Sequence, residues 1–124
     1  MARLQFYMKE EKEFEEEYEN ILIPDSNVKK VLNKLVRHFK LHPYQMKFWG
    51  HYLPGGSGAS IQFYGTYNFI TLPHNPPIAV ICHELAHDYC RIKYKTHRHG
   101  KKMMKCMRRM IEYCRKMDYW GLKK

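Results

Sequence analysis

The sequence predicts an α+β domain: a small antiparallel sheet of about three strands packed with three to four helices. Apolar residues recur at helical spacing in four separate stretches. Between Pro43 and Pro73 a period of two replaces that spacing. No repeat or low-complexity tract interrupts the order. The 124 residues fit one domain, 1–124, with 1–23 as an acidic N-terminal helical extension.

The first helix is expected over 4–22, where Leu4, Tyr7, Phe14, Tyr18 and Ile21 fall at heptad-like intervals with Glu between them. Pro24-Asp25-Ser26-Asn27 supplies a break and N-cap residues for the second. Val28, Val31, Leu32, Leu35, Val36 and Phe39 then form a core-facing stripe, and Pro43 closes it. Tyr44, Met46 and Phe48 alternate with Gln45, Lys47 and Trp49, as in a strand. Pro54 to Gly58 reads as a flexible connection, without the Lys of a phosphate-binding loop. Ile61–Tyr64 and Tyr67–Leu72 flank Gly65-Thr66, a pair suited to a type II′ hairpin turn. Asn75 is positioned to cap a helix starting near Pro77, with Ile78, Ile81, Cys82, Leu85, Tyr89 and Ile92 on its apolar stripe. After a basic loop, Lys93 to Arg98, the last helix begins near His99. Its stripe of Met103, Met107, Met110, Cys114 and Met117 reads as core.

Hydrophobic content of 44% and charged content of 27% are ordinary for a globular domain. No apolar run approaches the ~18 residues of a membrane span. The N-terminus lacks the layout of a signal peptide. The expectation is a cytoplasmic protein (nuclear in a eukaryote), neither secreted nor membrane-bound. Cys82, Cys90, Cys106 and Cys114 form no C-x-x-C knuckle, which argues against a zinc ribbon; they read as free, buried thiols. Net charge is +10. Residues 1–20 carry seven Glu against three Lys or Arg, a net of −4, which leaves the rest at +14. So basic a body points to an acidic partner, nucleic acid first.

The chemistry lies in His83-Glu84-Leu85-Ala86-His87, inside the third helical stretch. Residues four apart on a helix lie one above the other, so both imidazoles can reach one Zn²⁺. Glu84 is turned beside the metal, where a carboxylate can take a proton from zinc-bound water. A catalytic zinc needs a third ligand and an open position. Asp88 is rotated about 100° from His87, a poor ligand. Cys90 stands where a metzincin carries Gly, and no H-x-x-G-x-x-H follows, so that class is excluded. Glu112 and His99 remain. His97 lacks a following glycine and reads as a loop residue. His38, His42, His51 and His74 read as surface or satisfied histidines, with His74 close enough to the motif helix to support it. Among the tyrosines, Tyr67, Tyr89 and Tyr94 are the choices for stabilising an oxyanion.

His83-Glu84-Leu85-Ala86-His87, a basic loop, and then His99-Gly100-Lys101-Lys102-Met103 resemble the SprT-like metalloprotease pattern, a zincin-like arrangement. That pattern places a bulky residue, usually aromatic, where this chain has Met103. The resemblance spans roughly 26–117, by element order as well as motif. It implies His83, His87 and His99 as zinc ligands and Glu84 as catalytic base. The implied function is zinc-dependent hydrolysis of peptide bonds in a protein or peptide substrate. The strand 67–72 would add the substrate backbone as an extra strand. For some members the substrates are proteins on DNA. Lys101, Lys105, Arg108, Arg109, Arg115 and Lys116 lie opposite the methionine stripe and offer sequence-independent phosphate contacts. Two readings compete: a basic nucleic-acid-binding module with a structural zinc, which has no use for a carboxylate at 84, and a zincin-like regulator that cleaves one specific partner.

Overall fold

In a computed structural model of the chain, the residues described are 9–10, 13–14, 16–18, 21–51, 59–95 and 100–118. Their elements are α1 (Asp25–Phe39), β1 (Tyr44–His51), β2 (Ser60–Phe63), β3 (Asn68–His74), α2 (Ile78–Tyr94) and α3 (Lys101–Lys116). The α+β class expected from the two periodicities is the one observed. Residues 9–10, 13–14 and 16–17 are also helical, and Phe14 is buried in the core. Leu4, Tyr7 and the Pro54–Gly58 connection lie outside the described residues.

The three helices follow their stripes. Val28, Val31, Leu32 and Leu35 bury one side of α1, and burying each is worth about 1.5–3 kcal/mol. The helix ends before Pro43: Lys40 is left-handed (φ 55°), and the Leu41 N–H returns to the Val36 carbonyl at 2.9 Å. α2 is buried on nearly every side, Cys82, Leu85, Ala86 and Cys90 included. Met103, Met107, Met110 and Cys114 of α3 are core, but Met117 is 42% exposed because it sits at the C-cap, past the last turn. The cysteine spacing is explained here. α2 and α3 run antiparallel, so pairs eight residues apart meet: Cys82 and Cys114 have Sγ atoms 3.9 Å apart, and Cys90 faces Cys106. All four are free and buried, as expected.

The sheet corrects the sequence reading. Its order is β1-β3-β2, with β2 antiparallel to β3 but β1 parallel to β3. Alternation tells which face a residue occupies and not which strand lies next door. β1 ends at His51 and β2, beginning at Ser60, lies on the far side of β3, so the parallel strands β1 and β3 are separated in sequence by more than the dozen residues that a parallel pair requires. The β2–β3 hairpin is as expected, with Tyr64 N–H donating to the Tyr67 carbonyl at 2.9 Å, but its turn is not type II′: Gly65 (φ 74°) is the centre of a γ-turn in which Thr66 N–H donates to the Tyr64 carbonyl at 2.8 Å. Because β3 is central, it is paired along both edges and cannot accept a substrate strand. The expectation for 67–72 is overturned, and the open edges belong to β1 and β2.

The cap expected of Asn75 is also reassigned. α2 starts after Pro77 with no side-chain cap. Asn75 instead holds the start of α1. Its Oδ1 accepts from the Asp25 N–H at 3.2 Å, and its own N–H donates to Asp25 Oδ1 at 2.6 Å. His74 Nδ1 lies 2.6 Å from Asp25 Oδ2. With Ile23 N–H on the Pro76 carbonyl and Ile78 N–H on the Ile21 carbonyl, these bonds fasten the beginnings of α1 and α2 together. Among the described residues, no helix is long and apolar enough to cross a membrane.

Candidate metal centre

His83, Glu84 and His87 lie mid-way along α2, whose backbone is fixed by core contacts on most of its circumference. Glu84 is 7% exposed, and both histidines are half-buried. The imidazole centroids are 5.1 Å apart, with the ring planes at 66°. That spacing can be tested against zinc. An ion about 2.0–2.1 Å from one nitrogen of each ring lies roughly 3.2 Å from each ring centre, and at a tetrahedral angle the two centres are then about 5 Å apart. The centroid spacing of the pair is therefore the one that a shared zinc would require.

Among the described residues, no third His, Cys, Asp or Glu completes a metal-binding group with the pair. Glu112 is described, exposed on α3, and outside any such group. His99 and His97 lie outside the described residues. Gly100, which follows His99, is extended (φ 165°), and a Cβ there would meet open space. Its glycine character is therefore not demanded by crowding at this position.

Asp88, a poor ligand by its rotation on the helix, has a structural role that sequence spacing does not show. Its side chain is fully buried. Oδ2 accepts the His42 backbone N–H at 3.0 Å; Oδ1 lies 2.9 Å from His42 Nδ1 and accepts from Arg91 at 3.1 Å. Both oxygens are committed away from the histidine pair. Burial works to raise the Asp88 carboxyl, but the His42 and Arg91 hydrogen bonds outweigh it and hold the group below the ordinary carboxylate value. Arg91 also stacks over Phe63 of β2, 3.9 Å from the ring centre. The cluster ties α2 to the α1–β1 connection and to the sheet, so it sets the rotation at which α2 presents His83 and His87. The available signal was an acidic residue in an apolar helix with Arg three positions on.

The other site expectations separate clearly. His42 and His74 are satisfied by Asp88 and Asp25, His38 stacks on Tyr113 at 3.7 Å, and His51 lies 5.8 Å from His74. His74 thus supports the start of α1 instead of the motif. The Tyr89 hydroxyl accepts from Arg109 at 3.0 Å, and Tyr67 stacks on Tyr64. Tyr94 faces Lys93 and Lys102, whose ammonium groups are 5.5 and 5.2 Å from its ring. All seven basic residues on α3 are exposed, with Arg109 and Arg115 hydrogen-bonded to Tyr89 and Tyr18.

Compared with family models, curated proteins and solved structures, the chain matches none.

Proposed function

We propose that this chain is a zinc-dependent endopeptidase, SprT-like in its motif, with His83, His87 and His99 holding the metal and Glu84 as the catalytic base. The observation that carries the reading is the 5.1 Å spacing of two imidazoles one turn apart, with a buried carboxylate beside them. Zinc held there would lower the pKa of water towards ~7 and polarise a scissile carbonyl. The Glu84 carboxylate takes the proton of the attacking water and passes it to the leaving amine. Its burial beside half-exposed histidines keeps it out of bulk water but within reach of a substrate. The substrate backbone aligns along the outer edge of β2, the open strand edge that packs near α2. Main-chain pairing of that kind reads shape more than side chains, so broad specificity is expected. The exposed cations of α3 favour proteins lying on DNA as substrates, by salt-sensitive phosphate contact.

The test compares wild type with Glu84→Gln on an unstructured protein and on DNA-bound protein, with and without a chelator. Wild type is expected to cleave, chelation to abolish cleavage, and Glu84→Gln to lose about a hundredfold or more while still binding zinc. Full activity in Glu84→Gln would sink the mechanism. Zinc binding without cleavage by wild type would favour a structural metal in a nucleic-acid-binding module. Cleavage restricted to one protein would favour the dedicated regulator.

A further inference from the structure

The sheet has a second face, which the core does not use. Tyr44, Met46, Phe48, Ile61, Ile70 and Leu72 point inward and pack on the core. The register sets Gln45 and Gln62 on either side of Phe69, and Lys47 and Ser60 on either side of Thr71, so these residues share the outward face. Trp49 and Tyr64 are 68% and 52% exposed, and Phe69 and Tyr67 are half-buried. The Lys47 ammonium lies 5.7 Å from the Trp49 ring and 6.0 Å from the Phe69 ring. Tyr64 and Tyr67 stack at 5.4 Å with their planes 18° apart. Single exposed aromatics are common on protein surfaces, but four along one sheet face, two of them beside a lysine and two stacked at the hairpin end, are not.

The charge of this face selects its occupant. No Asp or Glu occurs anywhere between Asp25 and Glu84, so no strand of the sheet carries a carboxylate. The face offers flat π surfaces, one ammonium group and two amides. We propose that it binds single-stranded nucleic acid, with bases stacked on Trp49, Phe69 and Tyr64 and a phosphate on Lys47. A duplex keeps its bases stacked on one another and has no ring faces to offer, so the single strand is preferred. At about 3.3 Å per residue, the line from Trp49 past Phe69 to Tyr67 runs on the order of 20 Å, room for a few unstacked nucleotides. Stacking of this kind is tolerant of sequence. The inference goes beyond the peptidase reading and stands without the metal.

The test is fluorescence anisotropy of the full chain with a labelled oligothymidine of about 15 nucleotides and with a duplex of equal length. Wild type is expected to bind the single strand more tightly than the duplex and to weaken as salt rises. Trp49→Ala, at an open position where folding is not at risk, and Tyr64→Ala should each weaken single-strand binding about fivefold or more and leave duplex binding unchanged. Lys47→Ala should reduce the salt dependence. Equal single-strand binding by Trp49→Ala and Tyr64→Ala, each checked for native circular dichroism, overturns the proposal. So does a wild-type preference for duplex. A dimer in sedimentation that Trp49→Ala dissolves and oligothymidine does not displace would instead make this face a contact between two copies of the chain.

Discussion

Replacing Asp88 with Ala tests whether the buried cluster holds α2 in place. Three donor contacts end on that carboxylate, at 2.9, 3.0 and 3.1 Å, and its side chain is wholly buried. A hydrogen bond to a charged group contributes about 1.5–3 kcal/mol, and removing one partner of a buried ion pair costs about 3–5 kcal/mol. The His42 and Arg91 side chains are 35% and 28% exposed, so water can resolvate them once the carboxylate is gone. That places the loss near the low end, about 3 kcal/mol. A chain of this length unfolds with an entropy near 0.26 kcal/mol/K, so Tm should fall by about 11 °C. The assay is a thermal melt followed by circular dichroism in metal-free buffer. Glu112→Ala, at an exposed position on α3, serves as control and should stay within about 0.5 kcal/mol of wild type. A drop of less than about 3 °C for Asp88→Ala would refute the claim that this cluster carries the packing of α2.

Two further outcomes follow from the titratable groups. Burial raises the Asp25 carboxyl, but the Asn75 N–H and His74 outweigh that and leave it below its ordinary value. A group depressed in the folded state stabilises above its unfolded pKa, and the gain is lost as pH falls through the folded value. The stability advantage of wild type over Asp25→Asn in urea should therefore be full at neutral pH and shrink below about pH 4; an advantage undiminished at pH ~3 contradicts the assignment. The thiols should be inert in the native state. The Cys114 contact and burial hold the Cys82 thiol well above its usual value, and burial with Cys90 nearby pushes Cys106 up to about 12. A disulfide reagent at mildly alkaline pH should label all four cysteines quickly in denaturant and none quickly in the folded chain; rapid labelling of the folded chain would show that the α2–α3 interface opens readily.

Much of the fold was legible because one-dimensional periodicity reports which side of an element is buried. The stripes of α1, α2 and α3, the alternation of β1 and the Gly65 turn all express that local rule. The order β1-β3-β2 was not legible, because residues 44–48 alternate identically whether their neighbour is parallel or antiparallel. Asn75 stands next to α2 in sequence, but the partner it holds, Asp25, lies 50 residues away at the start of α1, which local spacing does not reveal. Asp88 and His42 are 46 residues apart, so their pairing is hidden from local spacing in the same way. The pair His83 and His87, with Glu84 beside it, could be read in full because helical spacing alone defines that geometry. A third ligand contributed from beyond α2 depends on chain reversal, which spacing does not encode.

The central claim is that His83 and His87 share one metal ion. Titration of the metal-free chain with Co²⁺, followed by the visible absorption of a tetrahedral ion and by displacement with Zn²⁺, addresses it most directly. One equivalent should bind with a tetrahedral spectrum. His83→Ala and His87→Ala should each abolish it, His99→Ala should weaken it, and Glu112→Ala should leave it unchanged. No tetrahedral spectrum in wild type, or the same spectrum in His87→Ala, would contradict the account.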